Sequence, residues 1–551
     1  MERGAGFVRL FRIEVSPIPM VNRTRRALFS ATIFLAVCGV AGSVFGGVSA
    51  QTASDESNLR DSMKSFTNVY ALVEQNYADK LDSDKADKAI YDGAIPGMLH
   101  VLDPHSNFYD PKAFAQMRED QHGKYYGVGM QIQPQGDKIV VLAPFEGTPS
   151  YKAGIRPGDV ILAVDGKTTE HMDSAAVASM LKGPRGTNVS VTMGREGSPK
   201  PLVFNLVRDE IPRYSVDIAF EIKPGNGYNH VTNFMETTSH EVQEALDKFG
   251  PNLQGLLIDL RGNPGGLLNE AVNMSDKFLQ KGEIVVSQRG RAFPDQVYRA
   301  PKGSDGKYPI VVLVNRNTAS AAEIVSGALQ DHDRALIVGE TTFGKGLVQT
   351  VIPLSENTGL ALTTFHYYTP SGRLIQRNYE GVSLYDYYYG REGALPADNS
   401  NKEVKLTDSG RTVYGGGGIT PDEKIAELKS NHFEDSLLQH YAFFNFSKHY
   451  LADHTVAKDF MVDDAVMRQF EDFLKSEKVD YTDKDIADNA DWIKSSIKAE
   501  LFTSQFGQAL GMQVRALWDP QIAKALTFMP EALALENHAL PSQQKTQTAS
   551  R

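Results

Sequence analysis

At 551 residues, with 41% apolar and 23% charged side chains, the chain can bury several hydrophobic cores, and its length predicts about three or four domains. This composition excludes a largely disordered protein. The formal net charge of −11 argues against a nucleic-acid binder, because such domains usually carry a basic face.

Residues 1–50 differ in composition from the rest of the chain. Basic residues are followed by a largely apolar run over residues 27–48 that ends in the triplet VSA. This order predicts a signal peptide and export to the periplasm or cell envelope. The run is also long enough to span a bilayer, so an uncleaved inner-membrane anchor is the alternative, and Met20 is an alternative start. Cys38 is the only cysteine, which predicts a mature chain without disulfides.

Residues 51–120 predict a helical N-terminal segment. Apolar residues, among them Phe66, Tyr70 and Val73, recur there at helical spacing. The turn-rich sequence VLDPHSNFYDP predicts a loop that closes the segment.

Residues 121–209 predict a small β-rich domain, because short apolar strands alternate with glycine turns. The order of GVGM before a strand and KAGIRPGDVILAVDGK after it resembles a PDZ domain of the bacterial type. Such a domain would bind an extended, apolar C-terminus of a protein substrate through Gly127, Val128, Gly129 and Met130. Glycines at this position let backbone N–H groups converge on a carboxylate, although they can also simply form a turn.

Residues 210–430 alternate apolar strands with helices, as in LQGLLIDL, LLNEAVNMSDKFL, IVVLVN, SAAEIVSGALQD and ALIVGE. Such strands predict parallel βαβ units, and the later strands LVQTVIPL and LALTTFHYY make the sheet mixed. Residues 431–535 predict a helical extension and 536–551 a disordered tail. The predicted fold class is α/β multidomain: a mixed-sheet core with an inserted PDZ domain and helical segments at both ends.

Two residues after neighbouring strands predict a nucleophile and a base. Ser320 follows a buried strand and begins a helix, where free backbone N–H groups can stabilise an oxyanion, although a serine at this position is often only an N-cap. Lys345 follows the next strand. If burial depresses its pKa, the neutral amine can accept the Ser320 proton.

Other interpretations of these residues remain open. Residues 339–345 match the phosphate-loop pattern GxxxxGK, but Gly346 cannot supply the hydroxyl that binds magnesium. His105 and His332 each lie beside an aspartate and could serve as the base in a Ser-His-Asp arrangement.

The motifs DLRGNPGG, NRNTASAAEIVSGALQD and GETTFGKGLVQT, with TFHYYTPSGRLIQ and YGGGGITPD downstream, resemble the carboxyl-terminal processing peptidases over residues 60–425. The resemblance implies a Ser-Lys dyad of Ser320 and Lys345, with Gln349 orienting the lysine. It also implies an oxyanion hole from the backbone N–H groups of Ala321 and Gly266, and a PDZ domain that engages substrate C-termini.

The resemblance implies no metal and no organic cofactor. An inactive PDZ scaffold, or an enzyme that requires an activating partner or self-association, is the alternative to a constitutively active peptidase. The helical extension leaves the oligomeric state and the choice of partner open.

Overall fold

The computed structural model describes residues 53–304, 306–390 and 403–537. The chain divides into two compact units, one ending at Ile90 and one beginning at Tyr91. The predicted signal or anchor over residues 27–48 lies outside the described residues, as does the predicted tail except for residues 536 and 537, which are helical. Within the described ranges, every helix is too short or too polar to cross a lipid bilayer.

The first unit is helical. It contains α1 (Ala53–Asn76) and α2 (Ser83–Lys88), and a π-helical segment (Ala89–Ala94) follows. Asp82 is the N-cap of α2, and its side chain accepts the N–H of Lys85 at 2.9 Å. Several apolar residues of α1 are exposed to solvent, namely Phe66, Val69, Leu72 and Val73.

Near its start, the second unit contains a strand that the sequence pattern did not predict. Helices α3 (Ile95–His100) and α4 (Pro111–Gln121) flank β1 (Asn107–Tyr109), which pairs antiparallel with the strand Gly359–Tyr368. The predicted loop is confirmed over residues 101–106, but its last part forms β1, because three residues are too few to show an alternating pattern. This pairing brings the DPHS sequence before β1 to the core of the molecule.

Residues 124–212 form the β-rich domain. Its elements are β2 (Lys124–Gly127), β3 (Met130–Gln135), β4 (Lys138–Pro144), α5 (Pro149–Lys152), β5 (Val160–Val164), β6 (Lys167–Thr168), α6 (Ser174–Leu181), β7 (Asn188–Gly194), β8 (Leu202–Val207) and β9 (Asp209–Pro212). Strand β3 is an edge strand of the main sheet, and β2 pairs with β9 as a separate stem. Strands β2 and β3 are separated at Val128 and Gly129, where Gly129 adopts φ +77°.

The core contains two large sheets and a small two-stranded sheet of β19 (Val404–Leu406) and β20 (Thr412–Tyr414). Its elements are β10 (Val216–Lys223), β11 (Asn226–Val231), α7 (Thr238–Phe249), β12 (Gly255–Asp259), α8 (Leu268–Ser275), β13 (Ile284–Arg289), β14 (Gln296–Arg299), β15 (Ile310–Val314), α9 (Ala321–Asp331), β16 (Leu336–Gly339), β17 (Leu347–Pro353), β18 (Gly359–Tyr368), α10 (Leu384–Tyr389), β19 (Val404–Leu406), β20 (Thr412–Tyr414) and β21 (Glu423–Lys424).

The central sheet has the order β10-β11-β12-β15-β16-β21 and is parallel from β11 onward, which confirms the predicted βαβ units. Strand β18 is the centre of the second sheet, where it pairs antiparallel with β17, β13 and β1. Because α9 follows β15, its first turn lies at the carboxyl ends of the parallel strands, the edge at which open α/β sheets bind ligands.

The C-terminal helices are α11 (His432–Gln439), α12 (Ala442–Asp453), α13 (Asp464–Ser476), α14 (Asp483–Asp488), α15 (Ala490–Phe506), α16 (Gln508–Trp518) and α17 (Pro520–Leu526). Helices α11–α16 share an aromatic core of their own. Residues further on, such as Ile522 and Ala525, pack on the central sheet against Leu257 and Val311, whereas Leu256 and Ile258 face α7–α9. The extension is therefore the second covering layer of the sheet, which explains why the strands are apolar on both faces.

Candidate active site

Ser320 lies in a strained backbone conformation at the start of α9. Its φ of 54° and ψ of −116° fall outside the regions that L-residues favour. The loop before it is fixed by two hydrogen bonds, from Thr318 Oγ1 to the Leu260 carbonyl at 2.8 Å and from the Ala319 N–H to the Asn263 carbonyl at 2.9 Å. These bonds tie the Ser320 loop to the DLRGNPGG segment.

The backbone of Ser320 is held at both of its polar atoms. Its N–H donates to Glu323 Oε2 at 2.8 Å, and its carbonyl accepts from the hydroxyl of the buried Tyr367 at 3.1 Å. Ser320 is the N-cap residue of α9 and forms a capping box with Glu323, whose carboxylate accepts the Ser320 N–H. The N-cap position that the sequence suggested for Ser320 is therefore confirmed, and it places the hydroxyl at the start of the helix, beside the backbone N–H groups of the first turn.

Glu323 joins the serine to the lysine. This fully buried carboxylate also accepts the N–H groups of Gly344 at 2.7 Å and Lys345 at 2.9 Å, and the hydroxyl of Thr342. The backbone nitrogens of Ser320 and Lys345 thus lie within 2.9 Å of the same oxygen, Oε2. Burial raises the pKa of Glu323 to about 7, against the effect of these hydrogen bonds.

Lys345 lies in a loop between β16 and β17. Burial lowers the pKa of its amine, while the negative charges of Glu323 and Asp103 oppose that shift. Its Nζ has no hydrogen-bond partner within the described ranges. A strand, not a helix, follows it at Leu347, so the phosphate-loop interpretation of residues 339–345 is wrong.

The glycines of DLRGNPGG make close contact with the serine. A Cβ on Gly265, whose φ is +95°, would come within 2.7 Å of Ser320 Cβ and 2.8 Å of the Ala321 nitrogen. The N–H groups of Ala321 and Gly266 donate to no described residue, whereas the Gly265 N–H is bound by Asn263. The structure therefore leaves two backbone donors free beside Ser320.

Gln349 lies on β17 opposite Thr363. Its Nε2 donates to Thr363 Oγ1 at 3.1 Å, and this is its hydrogen-bond partner among the described residues. The amide lies four residues beyond Lys345 but makes no direct bond to it.

The two histidines differ in position. His332 is the C-cap of α9, so eleven helical residues, about 16 Å, separate it from Ser320, and it cannot be the base. His105 lies near Lys345 with its Nε2 2.8 Å from the Tyr387 hydroxyl. Burial, with the neighbouring Lys345, lowers the pKa of His105 to about 3.

Four functional candidates escaped the sequence analysis. Glu323 had a signal, because SAAE matches the S-x-x-E capping pattern. Asp103, Ser106 and Tyr367 had none, because only the sheet topology brings them near Lys345 and Ser320.

The PDZ-like loop has free donors at an open sheet edge. The carbonyl of Val128 accepts from the Ser150 N–H and Oγ, and that of Gly129 from Phe145 and Thr148. The N–H groups of Val128 and Gly129 have no acceptor in the described part of the chain. They precede the edge strand β3, and α6 packs beside that strand.

The described residues contain one group with metal-ligand geometry, Glu283, His332 and Asp408, whose donor atoms lie within 4.8 Å of one another. It lies at the C-terminal end of α9, away from Ser320.

Comparisons with known proteins give consistent results. The profile of "Peptidase family S41" matches residues 225–383, that of "PDZ domain" matches 140–195, and that of "Probable PDZ-protease, C-terminal helical domain" matches 433–484. A Carboxy-terminal-processing protease of Bartonella bacilliformis is 40% identical over 332 residues, which cover 59% of this chain and 75% of that protein.

Carboxy-terminal processing protease CtpA of Bacillus subtilis is 33% identical over 380 residues, covering 67% of this chain and 77% of that protein. Among solved structures, a photosystem II D1 C-terminal processing protease is 30% identical, with a TM-score of 0.33, and covers 65% of this chain and 92% of its own.

Proposed function

This chain belongs to peptidase family S41 and is a serine peptidase, and from that premise we propose that it cleaves proteins near their C-termini with Ser320 as nucleophile and Lys345 as general base. The observation that carries the proposal is the shared carboxylate of Glu323, which binds the backbone N–H of both residues. A buried side chain that holds two loops in one position preorganises the groups they present.

In the first half of the reaction, neutral Lys345 accepts the proton of Ser320 Oγ as the oxygen attacks the scissile carbonyl. The N–H groups of Ala321 and Gly266 stabilise the oxyanion of the tetrahedral intermediate. Lys345 then donates its proton to the leaving amine, which leaves an acyl-enzyme. In the second half, water attacks the ester as Lys345 accepts the water's proton, and Lys345 then returns this proton to Ser320 Oγ as the bond to the serine breaks and the carboxylic acid product leaves.

The substrate would lie across an open cavity of about 530 Å³ beside the active-site loops. Leu267, Val348 and Phe365 contribute apolar walls to this cavity. Leu267 follows the proposed oxyanion donor Gly266, and Val348 precedes Gln349. This placement supports binding of apolar side chains near the scissile bond.

The PDZ domain would capture the substrate's end. The free N–H groups of Val128 and Gly129 would bind a terminal carboxylate, and edge strand β3 would pair with the extended peptide. Amidation of a substrate's C-terminus should then raise KM for cleavage. Unchanged kinetics with the amidated substrate would contradict a carboxylate-reading role.

The basic and apolar pattern of residues 1–50 supports export to the periplasm or cell envelope, as a soluble protein or one anchored through residues 27–48. Cell fractionation with an antibody to the chain tests this, and recovery in the cytosol would contradict it.

The catalytic proposal is tested by degradation of a loosely folded protein with an apolar C-terminus by the full chain, compared with Ser320→Ala and Lys345→Ala. Both variants should lose at least about a thousand-fold in kcat with unchanged circular dichroism. Retained activity in Lys345→Ala would contradict the lysine base. An inactive wild type would favour the scaffold or partner-activated alternative, in which the chain binds C-termini without cleaving them.

A further inference from the structure

The amide of Gln349 has a defined orientation. Its Nε2 is committed to Thr363 Oγ1 at 3.1 Å, so Oε1 is the atom left to accept a hydrogen bond. The β17-β18 pairing is irregular at this point, because Val348 pairs with Phe365 and Gln349 with Thr363. A bulge of this kind re-aims the side chains beside it. Gln349 therefore depends on Thr363 for the direction in which its acceptor points.

Thr363 is in turn held by the loop before β1. Its backbone N–H donates to Ser106 Oγ at 3.0 Å, and that hydroxyl donates to Asp103 Oδ2 at 2.6 Å. Asp103 Oδ1 also accepts the N–H groups of His105 and Ser106, each at 2.8 Å. Ser106 is 1% and Asp103 6% exposed. A continuous hydrogen-bond chain thus runs from the buried Asp103 and Ser106 to the partly buried Thr363 and Gln349.

Asp103 also acts on the lysine through its charge. Although burial opposes ionisation, the bonds from Ser106 and the backbone hold the pKa of Asp103 below its usual range, so it stays negative. The other charged group acting on Lys345 is Glu323 of α9. His105 lies in the same loop, but its low pKa keeps it neutral at physiological pH. Arg377 and Tyr387 complete the surroundings of His105.

We propose that Asp103, Ser106 and Thr363 form a positioning network that fixes Gln349 Oε1 toward the amine of Lys345, so that the loop before β1 is part of the catalytic machinery. This inference rests on the proposed Ser320-Lys345 mechanism and deepens it. A fixed acceptor at Gln349 would limit the rotamers that the Lys345 amine can adopt. If these residues served folding alone, their hydrogen bonds would not need to end at the side-chain amide of Gln349.

The test is a comparison of Thr363→Val with Thr364→Val in the full chain. Both remove one hydroxyl from neighbouring positions of β18, but that of Thr364 bonds to Thr350 instead, at 2.6 Å. Thr363→Val should lower kcat between about 10- and 100-fold with KM nearly unchanged, because a displaced catalytic group slows chemistry more than binding. Thr363→Ser should restore kcat, and Thr364→Val should keep it.

Two further measurements separate positioning from stability. In a Gln349→Ala background, Thr363→Val should cause no additional loss, since it acts through that amide. Asp103→Asn should shift the ascending limb of the pH profile to lower pH, because loss of a negative charge lowers the pKa of Lys345.

Equal losses in Thr363→Val and Thr364→Val, an additive loss in the Gln349→Ala background, or an unmoved pH limb in Asp103→Asn would each overturn the proposal. Lys345→Ala reports on the base independently. An inactive Lys345→Ala with a fully active Thr363→Val would therefore reject the network alone and leave the dyad in place.

Discussion

The two ends of helix α9 are built in opposite ways. At the N-terminal end, Ser320 is strained and the Ala321 N–H has no acceptor among the described residues. At the C-terminal end, Asp331 pairs with the fully buried Arg373, and Asp333 pairs with Arg411. One end keeps its polar groups available for a reacting substrate, and the other has them bound.

The difference shows how the fold can hold an unfavourable residue in place. Backbone strain costs of the order of 1–3 kcal/mol and persists only where the surroundings over-determine the conformation. The ion pairs fix the position of the helix, and Glu323 and Tyr367 fix the backbone of Ser320. The ion pairs at the C-terminal end of α9 therefore stabilise the strained conformation of Ser320 at its N-terminal end.

Loss of the Arg373–Asp331 ion pair at the C-terminal end of α9 should have the largest effect on stability. Arg373→Met would leave Asp331 buried without its partner, which should lower the free energy of unfolding by about 3–5 kcal/mol in urea titrations. The matched control is Arg185→Met, because Arg185 and Asp209 form an exposed pair that solvent screens, so its loss should change the stability little. Equal changes in the two variants would contradict the anchoring role.

Activity should depend on pH at the reactive end. Burial lowers the pKa of Lys345, and below that pKa kcat/KM should rise tenfold per pH unit as the amine loses its proton. His105, with a pKa of about 3, should contribute no step near neutral pH. A profile with no ascending limb over the pH range in which the protein stays folded, as followed by the unfolding midpoint, would argue against the lysine base.

Relieving the strain should stabilise the protein. Ser320→Gly and Ser320→Ala should both be inactive. The free energy of unfolding of the glycine variant should be about 1 kcal/mol higher than that of the alanine variant, because only glycine adopts φ 54° without a conformational cost. Thermal unfolding of the two inactive proteins measures this directly. An alanine variant as stable as the glycine variant would show that the backbone at residue 320 is not strained.

The smallest effect concerns His332 at the bound end. Burial alone would lower its pKa, but the bond to Asp408 and the charge of Glu283 raise it to about 8. Because the folded pKa exceeds the unfolded value, the pair stabilises the fold below pH 6.5, and this stability is lost as the pH rises through about 8. Asp408→Asn should remove about 1 kcal/mol at pH 6 and little at pH 9, and equal losses would contradict this.

The sequence predicted the parallel strands and the positions of Ser320 and Lys345, because continuous apolar runs mark buried strands and both residues follow one. It did not predict that β1 joins the second sheet, or that residues after α16 cover the central one. Those contacts depend on strand order, which local patterns do not encode. Asp103 and Tyr367 were missed for the same reason, since their partners lie more than 40 residues away.

The most direct test of the dyad replaces the base chemically. Cys38 is the only cysteine in the chain, so Cys38→Ser with Lys345→Cys has a single thiol, at the position of the base. Alkylation with bromoethylamine rebuilds a lysine-like amine there, and methylation provides the neutral control. We expect the unmodified and methylated proteins to be inactive and the aminoethylated protein to regain peptidase activity. Activity before alkylation, or none after complete alkylation of a folded protein, would contradict Lys345 as the base.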